Sequence, residues 1–426
     1  MIGSLIVVVF FFLMFLGVPV AFSLCLSALL YMVLFVDVPP IIIVQQMLSG
    51  VDKFTLMAIP FFVIAGTLME QGGISKRIVN FSKAVVAPLP GGLAIVVVVA
   101  SVIFAAMTGA GAATTAAVGS IMIPAMIKDG YDPDYSCALQ ASAGIFGPLI
   151  PPSILMVLYG VTAGVSVGDM LLSGAIPGLL MAVAVMCVVI FYALKSGQKG
   201  TARFDLKHVF VSLVDAFWAI LTPVVILGGI YTGVFTPTEA AAIGALYSLI
   251  VGLFIYRELK WGRLLPLMAK SFVLAGGILL IVGATQSFGW VLTKEGIPQA
   301  VAIWFNSVTD SPLVFLFAVC GMLLVAGCFI DAVPALMIFA PILCPAAKEF
   351  GIPLMHFGVV MVVTLCIGLV TPPVGLNLFV ASTVGGRPVH KIIPHVPPFI
   401  FVMLVGLVIL VLFPGISTYL PALMRR

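Results

Sequence analysis

Charged residues are scarce in this sequence. Only 8% of its 426 residues are charged, whereas 63% are hydrophobic. A water-soluble domain carries roughly 25% charged residues because its surface faces water. The composition therefore excludes a soluble globule and predicts an integral membrane protein that crosses the bilayer many times.

Other absences narrow the function. The four histidines are scattered and the seven cysteines show no paired spacing, which favours packed thiols over disulfides or a metal centre. There is no Walker A loop, no His-Glu-x-x-His pair and no plausible Ser/His or Asp/Asp dyad at membrane depth, which argues against an ATPase or an intramembrane enzyme. The net charge of +4 lies in loops and indicates no nucleic-acid partner. The apolar start, without a charged region or cleavage site, is typical of a retained first span.

Long apolar stretches dominate what is present, and each is long enough to predict a span. They cover 3–35, 54–71, 138–163, 171–194, 211–233, 236–256, 271–293, 352–384 and 398–423. Two further apolar regions, 91–127 and 311–347, are interrupted near 108–111 and 327–331. Halves of about 16 residues are short for a crossing, so these regions predict two re-entrant hairpins with glycine-containing tips.

Basic residues orient the spans, because loops rich in Lys and Arg stay in the cytoplasm. Basic residues gather at 76–83, 195–207, 257–270 and 387–391, and are missing from the connections 35–51, 161–170 and 232–238. This distribution predicts a cytoplasmic N-terminus and a periplasmic C-terminus. Arg425 and Arg426 are the one opposing signal.

The two halves of the chain resemble each other. Residues 124–130 match 345–351 and residues 147–152 match 368–373, in both cases 221 positions later. The loop after the second Pro-Pro pair is basic, whereas the loop after the first is not, so the copies are predicted to be inverted. Inverted repeats with broken helices are typical of secondary transporters. The predicted organisation is a first repeat (1–210), a connecting span (211–233) and a second repeat (234–426).

The two Pro-Pro segments, Gly147–Ser153 and Gly368–Asn377, are candidate cation sites. Paired prolines open a helix, and unwound backbone at membrane depth is tolerated where it lines a cavity or is buried in protein. Freed carbonyls and hydroxyls such as those of Ser153 and Thr371 are hard oxygen ligands suited to Na⁺. The alternative is a proline kink that only shapes helix packing. The occurrence of Pro-Pro pairs at two matching positions favours a cation site over this alternative. Asn377 could reach the same cavity, with Gln286 and Ser287 as weaker candidates.

The hairpin tips are the second set of candidates. The first tip (108–115) combines hydroxyls with small residues, and free N–H groups at the following helix start suit a carboxylate. A small-residue packing interface is the alternative. In the second tip (327–331), Asp331 is the single acid of the region 311–347. A carboxylate at membrane depth is a functional candidate, and a plain helix N-cap is the alternative.

Three further segments have local interpretations. Thr236-Pro-Thr-Glu239 predicts a capping box rather than a site. Residues 74–86 and 297–309 are amphipathic and predict interfacial helices beside the hairpins.

The order of these motifs resembles a known family. The motifs lie at 108–114, 147–153, 235–242, 327–331 and 371–377. Together they resemble the large membrane subunit of TRAP (tripartite ATP-independent periplasmic) transporters over essentially the whole chain. Members usually carry a second serine-like residue in the first tip, where this chain has Ala110 and Gly111.

The resemblance implies an all-α polytopic membrane protein with an elevator-type, ion-transporter-superfamily architecture. It implies Na⁺-coupled import of an organic acid, such as a C4-dicarboxylate or sialic acid, through the bacterial cytoplasmic (inner) membrane. The implied partners are a periplasmic substrate-binding protein, a small membrane subunit and membrane lipid. A channel and a stand-alone Na⁺- or H⁺-coupled anion transporter are the remaining alternatives.

Site residues follow from the same resemblance. The implied Na⁺ ligands are Thr108, Gly147 and Ile150 for one ion, and Gly327, Asp331, Gly368, Thr371 and Val374 for a second. The substrate would lie between them, against Thr108, Gly109, Ala110, Ser153, Asp331 and Asn377.

Overall fold

The computed structural model describes residues 3–35, 38–195 and 205–424, and every regular element in these ranges is a helix. This confirms the predicted all-α class. Lys199, Arg203, Arg425 and Arg426, which entered the orientation argument, lie outside the described residues. The helices are α1 (Gly3–Phe15), α2 (Val20–Phe35), α3 (Ile41–Val51), α4 (Ala58–Gln71), α5 (Ile74–Val86), α6 (Gly92–Thr108), α7 (Gly111–Lys128), α8 (Pro133–Ala143), α9 (Ile154–Ala163), α10 (Val167–Lys195), α11 (Leu206–Tyr231), α12 (Pro237–Ile250), α13 (Trp261–Lys294), α14 (Ile297–Val308), α15 (Pro312–Phe329), α16 (Ala332–Glu349), α17 (Leu354–Gly368), α18 (Leu376–Gly385), α19 (Val389–Ile392), α20 (Pro397–Leu412) and α21 (Gly415–Met424).

Many of these helices can cross a bilayer. Within the described ranges, eight are long and apolar enough to do so, or nine if the bent pair Val389–His395 and Pro397–Leu412 forms one span. Many large apolar side chains on their outer surfaces remain exposed, as expected where lipid is the solvent. The chain is therefore a multi-pass membrane protein.

Several predicted spans are broken where the sequence analysis expected continuity. The stretch 3–35 forms two helices, because Gly17 adopts a φ of +87° and Pro19 lacks the N–H that a continuing helix needs. The stretch 398–423 is likewise interrupted at Phe413 and Pro414. The connection 35–51 holds a helix of its own, α3. A hydropathy window averages over a single proline or glycine, so it does not register such breaks.

The hairpin regions also differ from expectation in length. Their four helices have 17 or 18 residues, and three of them meet the length and composition of a span. The expectation that each half is too short to cross was therefore wrong for α7, α15 and α16, whereas α6 stays below the length of a span. The helices nevertheless break at the two tips, at Gly109–Ala110 and at Ile330–Asp331. The path of the hairpins through a bilayer stays a prediction.

Helix boundaries in the two halves keep the spacing found in the sequence. Helix α16 begins and ends 221 residues after α7, and α17 begins 221 residues after α8. The two halves are thus built from corresponding pieces around their tips. Their opposite orientation across a membrane, and the division at 211–233, stay predictions.

Local capping explains the Thr236 motif. The Thr236 N–H donates to Glu239 at 2.8 Å and the Glu239 N–H donates to the Thr236 hydroxyl at 3.3 Å. This is the predicted capping box at the start of α12. Glu239 is therefore explained without a role in a site.

Arg77 anchors the amphipathic helix α5. Its guanidinium donates to Glu258 at 2.6 Å and to Asp215 at 3.2 Å, and it lies 3.8 Å from the centroid of the Tyr256 ring. These contacts tie α5, which leads into the first hairpin, to α11 and to the loop after α12. The base of the first hairpin is thereby fixed to neighbouring helices.

A separate ion pair joins the two halves of the chain. Arg387, in the loop after α18, donates to both carboxylate oxygens of Asp134 near the start of α8, at 2.7 and 3.0 Å. The hydrogen bond from Arg387 holds the pKa of Asp134 below its ordinary value of 3.8. A depressed carboxyl pKa adds stability that is fully present above the ordinary value and is lost as the pH falls through the lower folded value.

We therefore expect Arg387→Gln to lower the thermal unfolding midpoint of the purified protein near neutral pH. The difference from the wild type should stay constant between about pH 5 and pH 7 and shrink as the pH falls below the ordinary Asp134 pKa of 3.8. Arg263→Gln, which removes an exposed arginine from α13, is the matched control and should leave the profile unchanged. A difference that grows on acidification would contradict the assignment.

Candidate functional site

A cavity of about 350 Å³ lies where the two hairpin tips meet helices α4 and α13. The first tip contributes residues 108–113, and the second contributes Asp331, followed by Ala332 and Val333 of α16. Pro148 and the start of α9 complete one side. The chain therefore brings both tips to one cavity, although they are more than 200 residues apart in sequence.

The first tip is docked on the first Pro-Pro segment. Gly109 adopts a φ of +64°, which favours glycine, and its carbonyl accepts from the Ile154 N–H at 3.4 Å. A Cβ at Gly109 would lie 2.7 Å from the Pro152 carbonyl oxygen. Thr108 and Thr114 share a hydrogen bond between their hydroxyls at 3.0 Å. Small residues here serve close backbone contact between the tip and the segment.

The first Pro-Pro segment uses its polar side chain internally. The Ser153 hydroxyl donates to the Pro148 carbonyl and accepts from the Met156 N–H at 3.3 Å, which caps α9. Ser153 is fully buried and does not line the cavity. Ile150 packs against Gly178 of α10, also away from the cavity. The peptide bond between the two prolines of each Pro-Pro pair is cis.

Asp331 is the charged group of the second tip. It occupies the N-cap position of α16, but its side chain makes no capping hydrogen bond. Its carboxylate lies near the N–H groups of Ala332 and Val333 without capping geometry. The side chain is exposed to the cavity. The carboxylate therefore lies between the start of α16 and the cavity, where it can meet a ligand.

The residues of the second predicted cation site meet at one junction. Gly327 of α15 and Gly368 of α17 are in backbone contact, since a Cβ at Gly368 would lie 2.7 Å from the Gly327 Cα. The Val374 N–H donates to the Cys328 carbonyl at 3.2 Å, and the Thr371 N–H donates to Gly368 at 3.0 Å. The Thr371 hydroxyl donates to Ile367 at 2.8 Å. The second tip therefore rests on the second Pro-Pro segment as the first tip rests on the first.

Asn377 connects the two repeats instead of lining the cavity. It is fully buried, and its amide donates to the Ala141 carbonyl at 3.3 Å. Its Oδ1 has no partner among the described residues, and it faces Gly111, where a Cβ would lie 3.2 Å away. Gln286 packs against Gly50 and Ser287 donates to Ala284 within its own helix, so neither weaker candidate lines the cavity.

Comparison with known proteins decides the family. The model of the DctM component of the tripartite ATP-independent periplasmic transporters matches residues 7–416. The chain belongs to this family. Its recognition from the motif order is confirmed.

Individual relatives agree with the family match. The sialic acid TRAP transporter large permease protein SiaM of Vibrio cholerae is 39% identical over 411 residues, which is 96% of either chain. The C4-dicarboxylate TRAP transporter large permease protein DctM of Pseudomonas aeruginosa is 42% identical over 370 residues, 87% of either chain. Both are named as permeases, so the prediction of a transporter component rather than an enzyme is confirmed.

A solved structure supports the fold alone. The YdaH transporter of Alcanivorax borkumensis superposes with a TM-score of 0.62 at 16% sequence identity, over 88% of this chain and 87% of that one. At 16% identity, the similarity between the two proteins extends only to the arrangement of their helices.

The DctM-type chain also places residues at the cavity that the sequence analysis did not select. Helix α4 contributes Thr67, Glu70 and Gln71, and α13 contributes Lys270. Glu70 lies at the end of the predicted span 54–71, and Lys270 belongs to the basic cluster 257–270 that orients the spans. A signal existed, because both were predicted at the same membrane face on the ends of the spans 54–71 and 271–293.

The donors at the two junctions suit Na⁺. Backbone carbonyls, threonine hydroxyls and the Asp331 carboxylate are oxygen ligands, which hard cations prefer. Within the described ranges, no group of three His, Cys, Asp or Glu side chains could hold a metal ion.

Proposed function

We propose that this chain is the membrane permease of a Na⁺-driven importer for an organic acid of the C4-dicarboxylate or sialic-acid type. The observation that carries the proposal is the convergence of both tips, each resting on its Pro-Pro segment, at one cavity. The names of the relatives from Vibrio cholerae and Pseudomonas aeruginosa support the substrate class. The bacterial cytoplasmic membrane is the location that such an importer requires.

Na⁺ is a co-substrate in this mechanism. Thr108 and Gly147 would contribute oxygens to one ion, and Gly327, Gly368 and Thr371 to a second. The side chain of Ile150 packs toward α10, so this residue can take part through its carbonyl alone. Each ion would hold a tip against its Pro-Pro segment and thereby order the cavity wall.

The substrate carboxylate would then meet two helix starts. Helices α7 and α16 both begin at the cavity, and the free N–H groups of a helix N-terminus favour an anion. Asp331 can accept hydrogen bonds from substrate hydroxyls or bind a cation. The tips and the Pro-Pro segments would move together against α4 and α13 as an elevator, which exposes the cavity to either side in turn.

Two further proteins complete the proposed transporter. The matched family is described as one component of a tripartite periplasmic system. A periplasmic binding protein would deliver the organic acid, and a small membrane subunit would cover part of the exposed apolar helix surface.

Uptake by proteoliposomes tests the proposal. Vesicles with the chain, alone or with a candidate small subunit and binding protein, are supplied with radiolabelled succinate or N-acetylneuraminate, with and without an inward Na⁺ gradient. Uptake that needs both the gradient and the partners is the expected result. Gradient-driven uptake by the chain alone would establish the stand-alone alternative, and uptake without any gradient would contradict Na⁺ coupling.

A further inference from the structure

Lys270 is the one basic residue at the cavity within the described part of the chain. It lies on a face of α13 that otherwise presents Leu267, Leu274 and Ile278 to the cavity. These positions recur at helical spacing, so a single stripe of α13 forms this wall. A lysine in an aliphatic wall concentrates one full positive charge at a defined place.

The amine of Lys270 forms no ion pair with another side chain of the described residues. The ion pairs found among the described residues belong to Arg77, Arg387 and His395. Glu70 on α4 faces the same cavity and is close enough to interact with Lys270 electrostatically, yet the two form no direct ion pair. The amine therefore remains exposed and able to bind an anion.

The charges that line the cavity favour anion binding by Lys270. Its described lining carries two acids, Glu70 and Asp331, against one base, Lys270. An organic anion that enters must find positive charge, because a desolvated carboxylate without a partner is costly. The helix starts at the tips supply partial charges, whereas Lys270 supplies a whole one on the opposite wall.

We propose that Lys270 binds the substrate carboxylate from the wall formed by α4 and α13, and that Glu70 competes for the amine and keeps this contact reversible. The inference rests on the proposed function. If the tips move against this wall, Lys270 meets the substrate only when the cavity lies beside it. The predicted orientation places Glu70 and Lys270 near the cytoplasmic face, so the contact belongs to substrate release and to binding from the cytoplasm.

The test compares variants in proteoliposomes whose permease orientation has been determined, with the labelled acid that the wild type takes up. Loss of one charge-assisted contact changes affinity by about tenfold. Lys270→Gln should therefore raise the KM from the cytoplasmic face by about that factor and leave the KM of binding-protein-delivered uptake unchanged. Lys270→Arg should restore much of the affinity, and Glu70→Gln should lower the cytoplasmic KM.

The control is Lys294→Gln, at the opposite end of α13 beside Trp290, which should leave both KM values unchanged. Thermal unfolding of each variant verifies folding, and Glu70→Gln keeps the test decisive if Lys270→Gln does not fold. A wild-type cytoplasmic KM in Lys270→Gln, or an unchanged or raised one in Glu70→Gln, overturns the inference while wild-type Na⁺-driven uptake stands. Absence of uptake by the wild-type assembly overturns the proposed function itself.

Discussion

Asp331→Asn is expected to reduce Na⁺-driven uptake by about 10- to 100-fold. The substitution keeps the size of the side chain and removes the charge of the second tip at the cavity. A hydrogen bond or contact to a charged group contributes roughly 1.5 to 3 kcal/mol, and each 1.4 kcal/mol corresponds to about a factor of ten. Initial uptake rates at several Na⁺ concentrations would show both the loss and a weaker dependence on Na⁺.

A matched substitution separates the site from the hairpin as a whole. Asp310, which is exposed just before α15, lies at the base of the same hairpin and does not line the cavity. Asp310→Asn should therefore transport like the wild type. Wild-type Na⁺ dependence in Asp331→Asn would remove Asp331 from the site.

Gly368→Ala is expected to reduce uptake by about tenfold or more and to weaken the apparent affinity for Na⁺. The new Cβ would lie 2.7 Å from backbone atoms of Gly327, and backbone cannot give way as a flexible side chain can. Overpacking of this kind typically costs about 1 to 3 kcal/mol. The junction between the second tip and the second Pro-Pro segment would have to open, which separates the proposed Na⁺ ligands.

Helix α15 offers the control for this substitution. Gly321 has nothing within 4 Å of the position of an added Cβ, so Gly321→Ala adds the same methyl group without a clash. Alanine is also a better helix former than glycine, by up to about 1 kcal/mol. This variant should keep wild-type uptake. Equal behaviour of the two alanine variants would show that close contact at the junction is not needed for coupling.

The breaks at the Pro-Pro segments and at the two tips were predictable because their causes are local, whereas the breaks within 3–35 and 398–423 were missed. Glycine and proline change the backbone at their own positions, so the Pro-Pro segments and the tips near residues 109 and 331 could be placed from the sequence. The spacing of 221 residues was also visible, and the boundaries of α7 and α16 follow it. The capping box at Thr236 needed only four adjacent residues.

The contents of the cavity were less predictable because they depend on tertiary placement. Ser153 was expected to face the substrate, but its hydroxyl is used by its own segment and by the start of α9. Asn377 was expected there too, and it is buried between the repeats. Sequence alone does not tell in which direction a side chain of an unwound segment points.

The charged residues on the wall formed by α4 and α13 were not selected as candidates from the sequence. The sequence places Lys270 in a basic cluster just outside the predicted span 271–293, where a lysine indicates orientation and not a cavity. Helix α13 begins at Trp261, ten residues before the predicted span, and this extension carries Lys270 into the cavity. Glu70 becomes relevant only through its neighbour on that distant helix.

Hydrogen exchange of the purified permease in Na⁺ and in K⁺, at equal ionic strength, tests whether Na⁺ orders the tips against the Pro-Pro segments. Peptides that cover 108–115, 147–153, 327–331 and 368–377 should exchange more slowly in Na⁺, and Asp331→Asn should lose this protection at the second tip. Equal exchange in the two salts, in a preparation that performs Na⁺-driven uptake, would contradict the proposed coupling.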